Sequence, residues 1–305
     1  MTIIAAFPYG KKDRSALHLA GLLARSSGES LRIVSIVPDQ STSMIPSGSD
    51  LQFAAWSRER GRKAIAEAER AAAEICPDVV TETVAVASRS RAKGLIAEAV
   101  AAEASMIVVG SGTEGTRGRI RVSATSDRLL HSSPVPVALA PKGYGASSGR
   151  QGGAEGGQGA SRITRVTCSF RGDVATQNVL SATAEFARAA QSGLRVATFG
   201  VSGRTIEPAS LDDDSTRSDY VDHLRAAQEK AVAGLDGSDA RPVGAIAEVV
   251  GIGRDWKAAL SSIAWEPGEI LVIGSSSEGR RSRVFLGSNA ARIIRHSPVP
   301  VLVVP

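Results

Sequence analysis

Glu269 to Pro305 reads EILVIGSSSEGRRSRVFLGSNAARIIRHSPVPVLVVP. The apolar run Ile270 to Ile273 stops at Gly274, and a loop of small residues and arginines follows it. Gly287-Ser288-Asn289 then leads into a segment carrying Ile293 and Ile294, before His-Ser-Pro and a second apolar run. Strand, small loop, helix, strand is the economical reading. Gly287 and Ser288 fall where that helix must begin. A helix start exposes unpaired N–H groups and the positive end of the dipole, so an anion such as a phosphate can approach this bare backbone.

The stretch occurs twice. Gly110 to Pro141 aligns without a gap on Gly274 to Pro305 at an offset of 164, with 13 of 32 positions identical. The identities include Gly110/Gly274, Gly115/Gly279, Arg117/Arg281, Arg119/Arg283, Arg128/Arg292 and the Pro-Val-Pro-Val tetrads from Pro134 and Pro298. A match of this length marks an internal duplication.

The chain is long enough for that, with 305 residues, 43% of them hydrophobic and 22% charged, an ordinary globular composition. Aromatics make up 4%, so the cores are aliphatic and alanine-rich. The net charge of +5, without interleaved basic and aromatic residues, points to no nucleic-acid partner. Cys76 and Cys168 sit at non-matching positions and read as reduced thiols. No apolar run approaches a membrane span and no secretory signal is visible, so no membrane partner and a cytoplasmic location are expected. His18, His131, His223 and His296 lack ligand spacing, so no metal site is expected. No Ser-His-Asp or Cys-His arrangement can be proposed either.

Taken in order, the first copy reads as strand Ile3–Phe7, helix Asp13–Ser26, strand Leu31–Val37, and a long helix Leu51–Ile75 stopped by Pro77. Strand Thr83–Ala87 follows, then a helix capped by Ser90, strand Met106–Val109, a helix through Leu130, and strand Val135–Ala140. Residues 142–161 form a Gly/Ser-rich linker that fixes no geometry. The second copy repeats the series from Val166–Phe170, with Trp256–Ala264 as its third helix and Trp256 and Trp265 as core side chains. The implied organisation is a domain over 1–141, the linker 142–161 and a domain over 162–305. Near-continuous apolar strands alternating with helices imply parallel sheets covered on both faces. Ligands bind outside the carboxyl ends of such strands, which puts Phe7/Phe170, Val37/Phe199 and Gly110/Gly274 around one crevice per copy. Proline starts both last strands, leaving an apolar edge free to pair. Val135–Leu139 is therefore expected to pair antiparallel with Val299–Val303, making an intrachain pseudo-dimer; a further homodimer is left open.

Gly-x-x-small residue, nine residues, Gly-Ser, helix, His-Ser-Pro-Val-Pro-Val-Leu-Val-Val after a strand resembles the universal stress protein family. The order of elements agrees in both copies, so the resemblance spans the chain apart from the linker. It implies two doubly wound five-stranded parallel-sheet α/β sandwich domains in tandem, of the adenine nucleotide alpha hydrolase-like type. In one branch of the family it also implies ATP binding, carried by Gly-x-x-Gly, nine residues, Gly-Ser/Thr. The second copy supplies Gly274, Ser277 and Gly287-Ser288, with Gly279 two positions on; the first supplies Gly110, Thr113 and Ser123-Ala124. On this resemblance the candidate nucleotide residues are Gly274, Ser275, Ser277, Gly279, Gly287, Ser288 and Asn289. Phe170, Arg171 and Phe199 at strand ends join them, with Gly110 and Gly112 in the first copy. The aspartate usual at the end of the family's first strand is replaced by Pro8 and Arg171, with Asp173 nearby.

A left-handed backbone at position 287 would cost a residue with a Cβ about 1–2 kcal/mol, so Ser123 is expected to weaken the first site. Arg117, Arg119 and Arg121, like Arg280, Arg281 and Arg283, either neutralise phosphate or edge a solvated loop. The literal Gly-x-Gly-x-x-Gly at 110–115 follows the fourth strand rather than the first, against a dinucleotide site. The functional expectation is a non-enzymatic stress-response binding or signalling module, with ATP mainly in the second domain. The alternatives are a pseudo-dimeric protein-interaction module without nucleotide and a weak ATPase.

Overall fold

The computed structural model describes residues 1–39, 48–112, 114–146, 160–201, 214–235, 244–275 and 287–305. The first copy runs β1 (Thr2–Ala6), α1 (Ser15–Ser27), β2 (Ser30–Val37), α2 (Gly48–Ile75), β3 (Thr81–Ala87), α3 (Arg91–Ala101), β4 (Met106–Gly110), α4 (Ala124–Leu129) and β5 (Val137–Ala140). The second runs β6 (Arg165–Ser169), α5 (Val174–Ala189), β7 (Gly193–Val201), α6 (Asp214–Ala233), β8 (Ala247–Gly253), α7 (Trp256–Ser261), β9 (Glu269–Gly274), α8 (Ser288–His296) and β10 (Val301–Val304).

Among the described residues, ten strands share one sheet in the order β3-β2-β1-β4-β5-β10-β9-β6-β7-β8. Pairing within each copy is parallel, and only the central β5–β10 pair is antiparallel, with Val301 opposite Leu139, Leu302 opposite Ala138 and Val303 opposite Val137. The anticipated pairing of the last strands is thus present, over a shorter stretch. Both strands start after their prolines. The carbonyls of Pro136 and Pro300 still accept from Ile107 and Leu271, at 2.9 and 3.0 Å. Just before them, the fully buried Ser133 and Ser297 hydroxyls each donate to the carbonyl two residues on, Val135 and Val299, at 2.7 Å. The Ser-Pro-Val-Pro tetrad thus makes the same local bond in both copies.

Successive strand side chains point to opposite faces, and each face has its own core. Ile3, Ala5, Ala138, Val272 and Leu302 pack with α1, α2, α5 and α6 on one face. Ile4, Leu139, Leu271, Ile273, Val301 and Val303 pack with α3, α4, α7 and α8 on the other, where Trp256 and Trp265 also lie. Val137, Leu139, Val301 and Val303 are at most 1% exposed. Burying each fully is worth about 1.5–3 kcal/mol, so the seam is core rather than a surface contact.

The seam sets how the copies sit, and residues at one end of the linker and just past the other dock on α1. Tyr144 is buried and its N–H donates to the Ser15 hydroxyl at the start of α1 (3.1 Å). Past the linker, Ile163 N–H donates to the Ser26 hydroxyl at the end of α1 (2.8 Å), and Arg162 donates to the Arg25 carbonyl (2.6 Å). Other bounds shift slightly. α2 begins three residues early, at Gly48, and α7 stops at Ser261, after which Trp265 Nε1 donates to the Leu260 carbonyl (2.7 Å).

At the amino ends of the strands the copies differ. In the second, the fully buried Glu269 carboxylate accepts from Arg195 (2.6 Å), Arg165 (2.7 Å) and the Thr167 hydroxyl, while Arg195 lies over the Trp265 ring. In the first, Ser105 stands at that position and Arg32 pairs with Glu82 and Glu98 nearer solvent.

Candidate functional site

Among the described candidates, Gly110 and Gly112 lie at the carboxyl end of β4, Gly274 and Ser275 at that of β9, and Gly287, Ser288 and Asn289 at the start of α8. In the second copy α8 starts at Ser288 and its N-cap is Gly287. Glycine brings no side-chain oxygen, so α8 has no side-chain cap, and its first turn carries no acidic residue. In the first copy the N-cap is Ser123. Its hydroxyl accepts from the Ser126 N–H (3.2 Å), the Ser126 hydroxyl accepts from the Ser123 N–H (3.3 Å), and the box closes on itself. One helix start therefore lacks the side-chain cap that the other supplies from its own serines.

The reason differs from the one expected. Gly287 has φ −74° and ψ 162°, ordinary extended backbone, so no left-handed conformation demands glycine there. Serine is tolerated at both positions on backbone grounds; what it changes is the occupancy of the donors.

Gly274 ends β9, and an added Cβ there would lie 2.4 Å from Val179 Cγ2 on α5. At Gly110 the nearest atoms are those of Ala16, at 3.8 Å. The second glycine is thus needed for helix packing, whereas the first has room. The Ser275 N–H donates to the Val304 carbonyl (2.8 Å) and the Gly112 N–H to the Arg121 carbonyl (2.8 Å). Those two amides are spent within the protein. Ser277, Gly279, Arg280, Arg281 and Arg283 lie outside the described residues.

The strand-end residues are engaged as well. Phe170 is 4% exposed, packed in the core of the α5 face. The ring of Phe199 stacks on Trp265 with centroids 6.5 Å apart, on the opposite face of the sheet. The two rings therefore do not share one crevice. Arg171 is exposed and pairs with Asp173 at 2.7 Å. Asp173 itself caps α5, accepting from the Thr176 N–H (2.8 Å) in a reciprocal box. Burial works to raise the Asp173 pKa, but hydrogen bonds from Thr176 and the Arg171 charge outweigh it and hold the carboxyl below its usual value. The nearest aspartate to the family's usual position is thus committed to a helix start.

The arginines of the first loop have partners too. Arg117 donates to the Ala146 carbonyl (3.2 Å) and Arg121 pairs with Glu114 (3.2 Å). Arg119 Nη1 reaches across the molecule to the His296 carbonyl at the end of α8 (2.7 Å). Burial, then the Arg119 and Arg295 charges, push His296 below its ordinary pKa. Sequence reasoning missed this contact, because it joins residues 177 positions apart. Among the described residues no group of three or more His, Cys, Asp or Glu could hold a metal, and no helix is long and apolar enough to cross a membrane.

The universal stress protein family model matches twice, over residues 2–141 and 163–305. Universal stress proteins of Mycobacterium tuberculosis (strain H37Rv) and Mycobacterium bovis are 33% identical over 309 residues, covering 100% of both chains. Among solved structures, a universal stress protein described as putative from Pseudomonas aeruginosa UCBPP-PA14 matches with a TM-score of 0.55 at 15% identity, covering 99% of this chain and 92% of its own. One from Archaeoglobus fulgidus matches with a TM-score of 0.53 at 14% identity, covering 99% and 95%.

Proposed function

The chain belongs to the universal stress protein family, as a tandem of two copies, and on that premise we propose that it is a non-enzymatic binding module that takes an adenine nucleotide in its second copy. The phosphates meet the first turn of α8 at Gly287, Ser288 and Asn289. Gly274, Ser277 and Gly279 complete the proposed set. The observation that carries the reading is the uncapped start of α8 beside the self-capped start of α4. A helix N-terminus without its own oxygen leaves backbone donors and a positive dipole end for an anion. The first copy, with Ser123 and Ser126 closing its box and the Gly112 amide engaged, is the weaker binder.

A specific observation favours a second reading. Gly274 is accounted for by Val179, and Asp173 by its cap. Two features that would mark a nucleotide site thus have structural uses, as they would in a pseudo-dimer acting only through protein partners. Thermal unfolding with and without Mg-ATP separates the two. A ligand that binds only the folded state raises the melting temperature, so the nucleotide reading expects a rise that grows with ATP concentration. No change with ATP at about millimolar, the weak end of specific binding, favours the partner-only module.

A further inference from the structure

We propose that Arg119, in the first copy, is a positioning residue for the anion-binding end of α8 in the second. The ligand in this inference rests on the nucleotide reading above; the mechanical link does not. α8 has nine residues, about 13 Å at 1.5 Å per residue. Its amino end is the uncapped start, and its carboxyl end is where Arg119 binds. The bond is part-buried and 2.7 Å long, within the range of a well-formed N–H···O contact. A guanidinium at a helix carboxyl end also favours the negative end of the dipole.

The loop that carries Arg119 is itself anchored. The Lys142 N–H donates to the Arg119 carbonyl (3.1 Å) and the Gly118 N–H to the Lys142 carbonyl (2.9 Å). The same segment reaches Tyr144, seated on α1 through Ser15. A chain of bonds thus runs from the start of α1, through residues 141–146 and the first-copy loop, to the last carbonyl of α8. Elsewhere α8 is held by Ile293 and Ile294 in the core, by Ala290 packed against it, and by the fully buried Ser297 that leads into β10. Apolar packing is non-directional, so the Arg119 bond adds a directional contact from the first copy at the carboxyl end. Fixing the carboxyl end fixes the amino end: a tilt of about 10° in so short a rod moves the far end by about 2 Å. That is enough to spoil amide-to-phosphate hydrogen bonds. The first copy, whose own helix start is self-capped, supplies the residue that steadies α8 in its twin.

The test uses the intact chain and two readouts. Hydrogen exchange without ligand follows peptides covering 288–297 in wild type, Arg119→Ala, Arg119→Lys and Arg121→Ala. Titration calorimetry follows Mg-ATP and, separately, adenosine, which lacks phosphates. Arg119→Ala is expected to speed exchange in 288–297 and to weaken ATP by at least about fivefold, the low end of site-to-site coupling. Adenosine binding stays near wild type, Arg119→Lys restores part of the loss, and Arg121→Ala behaves as wild type. Unchanged exchange in 288–297 overturns the inference, as does an equal loss for ATP and adenosine. If wild type binds no ATP, the nucleotide reading fails by itself and the exchange arm still decides the link. If Arg119→Ala exchanges faster everywhere, the comparison moves to Arg119→Gln: faster exchange confined to 288–297 supports the link, and none overturns it.

Discussion

The two copies share their strand order, their Ser-Pro-Val-Pro turns and their place in one sheet, yet they diverge wherever a polar group or a glycine sits next to a helix. Ser123 caps α4 and Gly287 gives α8 no side-chain cap; Gly110 faces Ala16 and Gly274 faces Val179; Ser105 stands where Glu269 holds two arginines. Duplication preserved the pieces that build the sheet and left each copy to solve its helix starts and buried charges differently. The difference teaches that matching positions need not have matching uses.

Substitutions at paired positions break or sharpen that contrast. The largest effect is expected at Glu269. Glu269→Ala leaves Arg195 buried without its carboxylate and should cost about 3–5 kcal/mol in denaturant unfolding, while Ser105→Ala loses only the half-buried hydroxyl's bonds to Glu29 and the Thr2 carbonyl and should cost about 1 kcal/mol. Equal costs would show that the buried network is not what distinguishes the amino ends. Next comes Gly274→Ala, which drives a methyl into Val179 and should cost about 1–3 kcal/mol. Gly110→Ala meets only ordinary contact at 3.8 Å and should be tolerated. Adding Val179→Ala to Gly274→Ala should recover stability, and no recovery would place the strain elsewhere.

Gly287→Ser gives the second copy the cap residue of the first. Its backbone already accepts a side chain, so stability should hold or rise slightly, while ATP affinity falls about tenfold, or 1.4 kcal/mol. A stable variant with undiminished affinity would remove the helix start from the site. The smallest effect concerns Asp173, whose cap should be worth about 1 kcal/mol. Its folded pKa is depressed, so this stability is present above the unfolded carboxyl pKa of about 3.9 and is lost as pH falls through the lower folded value. The gap between wild type and Asp173→Ala should close in acid unfolding curves; a gap constant with pH would contradict the assignment.

Much of the fold was legible because it rests on local pattern. The offset of 164, the apolar runs and the proline starts were enough to place the strands and to pair the last ones, and Gly287-Ser288 marked the start of α8. What stayed hidden depends on what the chain brings together. Val179 opposite Gly274, the Ser123–Ser126 box and Arg119 on the His296 carbonyl join side chains whose pairing no periodicity encodes. The linker composition set no geometry, and the docking of Tyr144 and Ile163 on α1 could not be read from it. Phe170 and Phe199 were grouped by strand position alone, although alternation along strands sends their rings to opposite faces.

The central claim is that one helix start in this duplicated molecule receives nucleotide phosphates more tightly than its twin. Titration calorimetry of Mg-ATP onto the intact chain, with Gly287→Ser and Ser123→Ala beside it, tests this most directly. The account predicts a tighter site that Gly287→Ser weakens and Ser123→Ala leaves as it is. Heat of binding that is absent, or that survives Gly287→Ser unchanged, contradicts it.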